Sequence, residues 1–181
     1  MNFFRKNAFY KSDLRNEEEI FIQFRLCKLE NFMTKIILFQ PDIAGNVGTI
    51  IRTCVCFDTE LHIIEPCGFP LDMQRVKKSA LDYFHHAKIF RHDSFENFFR
   101  DEILAKNQRL ILASTKGSVD YRKFKFQKND AIMFGRESAG VPESVASKAH
   151  HKIFIPMQNG ARSLNVAVSC GIILASSERG I

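Results

Sequence analysis

Apolar positions along this chain fall into short continuous runs, separated by stretches with helical spacing. Lys35–Phe39 (KIILF) is one such run, stopped by Pro41, and Val47–Phe57 follows with apolar residues three and four apart. Leu61–Ile64 is a second run, ended by Glu65-Pro66. A helix is predicted at Gln74–Leu81, a strand at Ala87–Phe90 and a helix at Phe95–Ala105. Arg109–Ala113 (RLILA), Ala131–Phe134 (AIMF) and Lys152–Ile155 (KIFI) read as three more strands, and Leu164–Glu178 as the last helix. Short buried strands alternating with helices predict an α/β fold: a mostly parallel sheet flanked by helices. Ligands of such sheets bind beyond the carboxyl ends of the strands, so the loops after Phe39, Ala113, Phe134 and Ile155 carry the chemistry.

Residues 1–32 break this pattern. They are rich in charge, lack glycine and proline, and hold one amphipathic helix, Glu17–Leu29, while Ile20, Ile22, Phe24 and Leu26 alternate instead of forming a helical stripe. We read 1–32 as a nonessential, loosely packed extension with an internal start at Met33, and 33–181 as the catalytic domain. Met1–Lys11 carries the basic and aromatic mixture of a mitochondrial presequence, but the acidic run Glu17–Glu19 counts against extending it.

Composition narrows the picture modestly. A chain of 181 residues, 45% hydrophobic, supports a domain with a real core. Its net charge of +6 permits a polyanionic partner without requiring one. Cys27, Cys54, Cys56, Cys67 and Cys170 are odd in number and lack CxxC spacing, which argues against a disulfide framework or a zinc site and for a cytoplasmic location. No apolar run approaches the roughly 20 residues of a membrane helix. The pairs His85-His86 and His150-His151 lack metal-ligand spacing and read as surface residues.

Three loops stand out. In the first, Gln40-Pro41-Asp42-Ile43-Ala44-Gly45-Asn46-Val47-Gly48 opens a helix that carries Arg52; it is not GxGxxG, so a dinucleotide fingerprint is absent. In the second, Phe134-Gly135-Arg136-Glu137-Ser138-Ala139-Gly140-Val141-Pro142 places a charged pair between glycines but lacks the Lys-Ser/Thr of a P-loop. The third runs from Ile155 to Ser169, where Ser163 or a neighbour caps the next helix and Asn165 stands near its start. Read singly, the first and third are capping loops, and the second divides evenly between a connection and a site.

Taken in order, N-x-G-x-x-x-R, F-G-x-E-x-x-G-V-P and I-P-M-…-R-S-L-N-V-A-V-S resemble the three motifs of the SpoU/TrmH branch of SPOUT methyltransferases, from Met33 to the C-terminus. LHIIEPCGF (61–69), ALDY (80–83) and STKG (114–117) resemble the TrmL family of tRNA wobble-nucleotide 2′-O-methyltransferases. The resemblance implies an S-adenosylmethionine-dependent enzyme that needs no metal and methylates the ribose 2′-hydroxyl at the wobble nucleotide (cytidine or modified uridine) of leucine tRNAs. The alternatives are another tRNA or rRNA site, or a noncatalytic RNA-binding factor.

The resemblance also implies a C-terminal trefoil knot, an exception to the usual connection rules, and a homodimer packed through the last helix. By matching positions, Arg52, Asn46, Glu137 and Asn165 are catalytic, with Glu137 holding either Arg52 or Asn46. Ala113, Gly135, Ile155 and Ser163 bind the cofactor, mainly through backbone groups. Gln158–Ala161 and the late helix VAVSCGIILASS depart from the TrmL pattern, which bears on the RNA target and not on the reaction class. Two basic stretches are candidates for RNA: Arg75–Lys78 with His85, His86, Lys88 and Arg91, and Tyr121–Lys128, where aromatics alternate with cations.

Overall fold

The computed structural model describes residues 34–69, 76 and 80–178. The extension 1–32, the cations Arg75, Lys77 and Lys78 of the first basic stretch and most of the helix expected at 74–81 lie outside the described residues.

Seven strands form one sheet: β1 (Lys35–Phe39), β2 (Glu60–Ile64), β3 (Ile89–His92), β4 (Leu110–Ala113), β5 (Val119–Asp120), β6 (Ala131–Phe134) and β7 (His151–Phe154), in the order β3-β2-β1-β6-β4-β7-β5. Every pairing is parallel, so the expectation of a mostly parallel sheet becomes a wholly parallel one. The helices are α1 (Ala44–Cys56), α2 (Phe95–Phe98, continued as a π-helical turn to Leu104), α3 (Glu143–Ala146) and α4 (Val166–Ser177), with a 3-10 turn at Leu81–His86.

Both faces of the sheet are covered at its centre, which is why β1, β4 and β6 read as near-continuous apolar runs and do not alternate with polar residues. Ile36, Leu38, Ile63, Ile111, Ile132 and Ile153 point toward α1 and α4, where Val47, Ile50, Ile51, Cys170 and Ile173 complete one core. Ile37, Phe39, Leu112 and Met133 point the other way, to Phe95, Phe98, Ile103 and Val145. Cys54 is buried and Cys56 exposed, as their spacing on α1 requires.

Two strands enter the sheet out of sequence order. β6 lies between β1 and β4, and β7 lies between β4 and β5. The connection 114–118 therefore straps across β7. Ser114 N donates to Ile153 O at 2.9 Å and Ser118 N to Lys152 O at 3.0 Å. Gly117 passes so close that a Cβ there would collide with the carbonyl carbon and oxygen of Ile153.

Most element boundaries moved by one to three residues, and one strand is new. β3 is Ile89–His92, not 87–90, because parallel pairing sets Leu61 against Ile89 and His92 against Ile64. β5 is a two-residue edge strand the apolar pattern did not reveal. α4 begins at Val166, and of Ser163 and its neighbours it is Asn165 that caps it: Asn165 Oδ1 accepts from Ala167 N at 2.8 Å and from Val168 N at 3.4 Å.

On the sheet face that carries α2, Lys35 is ion-paired to Glu102 and lies 3.8 Å from Glu60. His62, buried beside them, stacks on Phe90 and His92 and shares a 2.9 Å contact with His92 Nε2. Burial, followed by the Lys35 charge, pushes the His62 imidazole down to about 3.

Candidate active site

The strands stop at one edge, and the loops after β1, β4, β6 and β7 converge there around a cavity of about 740 Å³. Its floor and walls include Leu112, Phe134, Ile153, Ile155, Val166 and Ile173, and its polar lining comes from Asn46, Ser114, Glu137, Ser138 and Asn165. Its lining is divided about equally between polar and apolar groups, and its volume falls within the roughly 300–1,000 Å³ of small-molecule and cofactor sites.

The loop after β6 is a tight turn. Arg136 and Gly140 exchange two backbone hydrogen bonds of 2.9 Å, and Gly140 takes φ +68°. A Cβ on Gly135 would lie 2.6 Å from the Gly140 carbonyl carbon, so both glycines are needed for the loop to close. Closure turns Glu137 toward the loop after β1.

There Glu137 joins three segments. Its Oε2 accepts from Asp42 N at 2.8 Å, and its Oε1 accepts from Asn46 Nδ2 at 2.8 Å. Asn46 Oδ1 in turn accepts from Asn165 Nδ2 at 3.0 Å, and Asn165 Oδ1 caps α4. The relay therefore runs in one direction, from carboxylate through two amides to the amino end of a helix. Glu137 thus holds Asn46, not Arg52. With both oxygens accepting, it ties the loop after β6 to the loop after β1.

Asp42 supports the relay from behind, and sequence reading missed it. It accepts from Arg136 Nη2 at 2.8 Å, from Ser138 Oγ at 2.6 Å and from Ser138 N at 3.0 Å. The Ser138 hydroxyl first, then Arg136 and the Ser138 amide, draw its carboxyl down to about 2. Gly68 closes on the same residue: a Cβ there would lie 2.7 Å from Asp42 Oδ1.

Asn46, Glu137, Asn165, Ala113, Gly135, Ile155 and Ser163 all line the cavity; Arg52 does not. Arg52 is exposed on α1, six residues or about 9 Å of helix beyond Asn46, with its guanidinium over the Tyr83 ring at 5.4 Å.

The basic stretches change character. In Tyr121–Lys128 the aromatics face inward: Phe126 is buried, and Phe124 packs on it and beneath Arg109. Arg122 is paired to Asp120, and Lys123 and Lys125 remain as exposed cations. Lys88 and Arg91 pair with Asp58 and Glu65. His85, His86, His150 and His151 are exposed, and His150 Nδ1 accepts from Leu110 N at 2.9 Å. Among the described residues no three His, Cys, Asp or Glu side chains cluster as a metal site, and no helix is long and apolar enough to cross a membrane.

Comparison with known proteins adds the following. Residues 33–175 match the SpoU rRNA methylase family. A tRNA (cytidine(34)-2′-O)-methyltransferase of Ancylobacter novellus is 45% identical over 142 residues, covering 78% of this chain and 89% of that protein. A solved structure described as giving insights into the 2-OH methylation of C/U34 on tRNA superposes with a TM-score of 0.78 at 34% identity, covering 82% of this chain and 96% of its own. An AdoMet-bound rRNA methyltransferase from Sinorhizobium meliloti superposes at 0.72 with 28% identity, covering 81% of this chain and 56% of its own.

Proposed function

From the premise that this chain belongs to the SpoU rRNA methylase family, we propose that it transfers a methyl group from S-adenosylmethionine to the ribose 2′-hydroxyl of tRNA at position 34, the wobble nucleotide. The observation that carries this reading is the one-way relay Glu137–Asn46–Asn165 on the rim of a cavity walled by three loop backbones, in a chain 45% identical to a curated cytidine-34 enzyme. The leucine tRNAs are the proposed substrates.

The residues present fit S-adenosylmethionine. The volume is sufficient, apolar walls at Leu112, Ile153 and Ile155 suit an adenine, and the ends of β4, β6 and β7 bring peptide groups of Ala113, Gly135 and Ile155 to the lining. Ser163 adds a hydroxyl. The donor supplies a sulfonium methyl that is already electrophilic, so the protein's task is to place and deprotonate a hydroxyl. Asn46 and Asn165, locked by Glu137 and by the α4 cap, present fixed polar groups at the rim. A guanidinium is a poor base in its cationic form; the role of Arg52 is to stabilise charge developing on the 2′-oxygen or to orient the neighbouring phosphate.

Three further features belong to this reading. The strap 114–118 across β7 supports a trefoil knot. Ile43, Leu164 and Val168, 49%, 41% and 50% exposed beside the cavity and along α4, support a homodimer formed through that helix. The cytoplasm, where tRNA is available, is the proposed location, with residues 33–181 as the methyltransferase domain and 1–32 as a dispensable extension.

The test is transfer of labelled methyl from S-adenosylmethionine to tRNA from cells lacking the gene, followed by mass mapping. Label on ribose 34 is expected. Label on a base, or at a different ribose, refutes the assignment.

A further inference from the structure

Most arginines among the described residues are committed. Among the described residues Arg91, Arg100, Arg109, Arg122 and Arg136 each sit in an ion pair of 2.5–2.8 Å with an Asp or Glu. Arg52 has no such partner there, and neither does Arg162 in the loop after β7. Arg52 is held instead by a ring: its guanidinium carbon lies 5.4 Å from the centroid of Tyr83, which is itself 39% exposed.

The two ways of holding an arginine have different consequences. A carboxylate takes up N–H donors and cancels the charge. An aromatic face attracts the cation through its quadrupole, leaving the charge uncompensated and the five N–H groups in the guanidinium plane available. A ring is therefore the fitting support for a guanidinium that must be both placed and ready to act. The ring also has a firm base. Tyr83 sits on the 3-10 turn Leu81–His86, which packs against α1. The flanking Ala80 is buried in the same core as α1, and Phe84 and Ala87 pack against that core.

We infer that Tyr83 is a positioning residue for methyl transfer: it orients the Arg52 guanidinium toward the substrate by cation–π contact while leaving its charge and donors free. This rests on the assignment of Arg52 as the group that meets the reacting ribose or its phosphate.

The experiment compares Tyr83→Leu, Tyr83→Phe, Arg52→Ala and Arg52→Ala/Tyr83→Leu in single-turnover methyl transfer to tRNA from cells lacking the gene. Cofactor affinity is measured by calorimetry, and melting temperature monitors folding. Tyr83→Leu is expected to slow transfer roughly threefold to tenfold with cofactor affinity unchanged, and Tyr83→Phe to restore most of the rate because the ring face remains. The double variant is expected to be no slower than Arg52→Ala alone, since Tyr83 then has nothing to orient. An additive loss in the double variant overturns the inference, as does Tyr83→Phe being as slow as Tyr83→Leu. If Arg52→Ala is slow and Tyr83→Leu is not, this inference fails and the role of Arg52 stands. If Arg52→Ala transfers at the full rate, the role of Arg52 fails first.

Discussion

Replacing Glu137 with glutamine changes one oxygen to an NH₂ group, yet its effect should reach α4. The carboxylate accepts from Asp42 N and Asn46 Nδ2, both at 2.8 Å. A glutamine can keep its oxygen on Asp42 N, but its amide then faces the amide of Asn46. Asn46 can rotate to offer Oδ1, which turns its Nδ2 onto Asn165 Nδ2. If Asn165 rotates as well, the α4 N–H groups of Ala167 and Val168 lose their cap. Those N–H groups cannot reverse, so one donor–donor contact remains wherever the relay breaks.

A hydrogen bond to a charged group contributes about 1.5–3 kcal/mol and an N-cap about 1 kcal/mol; for this half-buried site Glu137→Gln is expected to cost about 2 kcal/mol. That corresponds to a fall in melting temperature of roughly 4–8 °C for a chain of this size. Asn46→Asp should be destabilising too, because two carboxylates then face each other with no donor between them. The double exchange Glu137→Gln/Asn46→Asp restores complementarity: the glutamine amide donates to one oxygen of the new carboxylate, whose second oxygen still accepts from Asn165. Calorimetric melting of the four proteins decides the matter. If the double variant melts no higher than the weaker single variant, the directional relay is wrong.

Four other outcomes follow from the same geometry. Asp42 has its folded pKa depressed from 3.8 to about 2, so its stabilisation is present above pH 4 and lost as pH falls toward 2; Asp42→Asn should remove that part of the acid limb in pH-dependent unfolding. His62 is also depressed, from 6.5 to about 3, but as a base: the unfolded chain takes up the proton first, and stability falls as pH drops below 6.5. His62→Phe should flatten that slope in urea unfolding between pH 6.5 and 4. Gly117→Ala should cost about 1–3 kcal/mol or more, because its methyl meets the Ile153 backbone, and urea unfolding would detect it. Arg52→Ala should lower single-turnover transfer at least ~100-fold while leaving cofactor affinity by calorimetry nearly unchanged, since Arg52 lies outside the cavity.

The strands KIILF and AIMF were legible because apolar runs bounded by Pro41 and Gly135 admit few other readings. β5 was not, since Val119–Asp120 is a strand only by its pairing with Ile153 and Phe154. Asn46, Glu137 and Asn165 could be singled out from their motifs, but who holds whom could not: these side chains are 91 and 119 positions apart and meet only in the folded chain. Asp42 was quoted in the first loop yet carried no signal, because its partners Arg136 and Ser138 stand 94 and 96 residues later. The alternation of aromatics and cations in Tyr121–Lys128 suggested an RNA contact, whereas Phe124 and Phe126 serve the core.

The insertion of β6 and β7 into the interior of the sheet has a consequence for synthesis on the ribosome. Strands β1, β2 and β3 can pair as they emerge, but β1 lacks its second neighbour until residues 131–134 appear, and β4 and β5 are bridged only by residues 151–154. Each wall of the cavity waits for the next, and Asn46 meets Asn165 only once residue 165 has emerged. A chain that stops short of that point offers neither the cavity nor its rim. Long-range pairing of this kind also folds slowly, so competence for catalysis should lag completion of the chain.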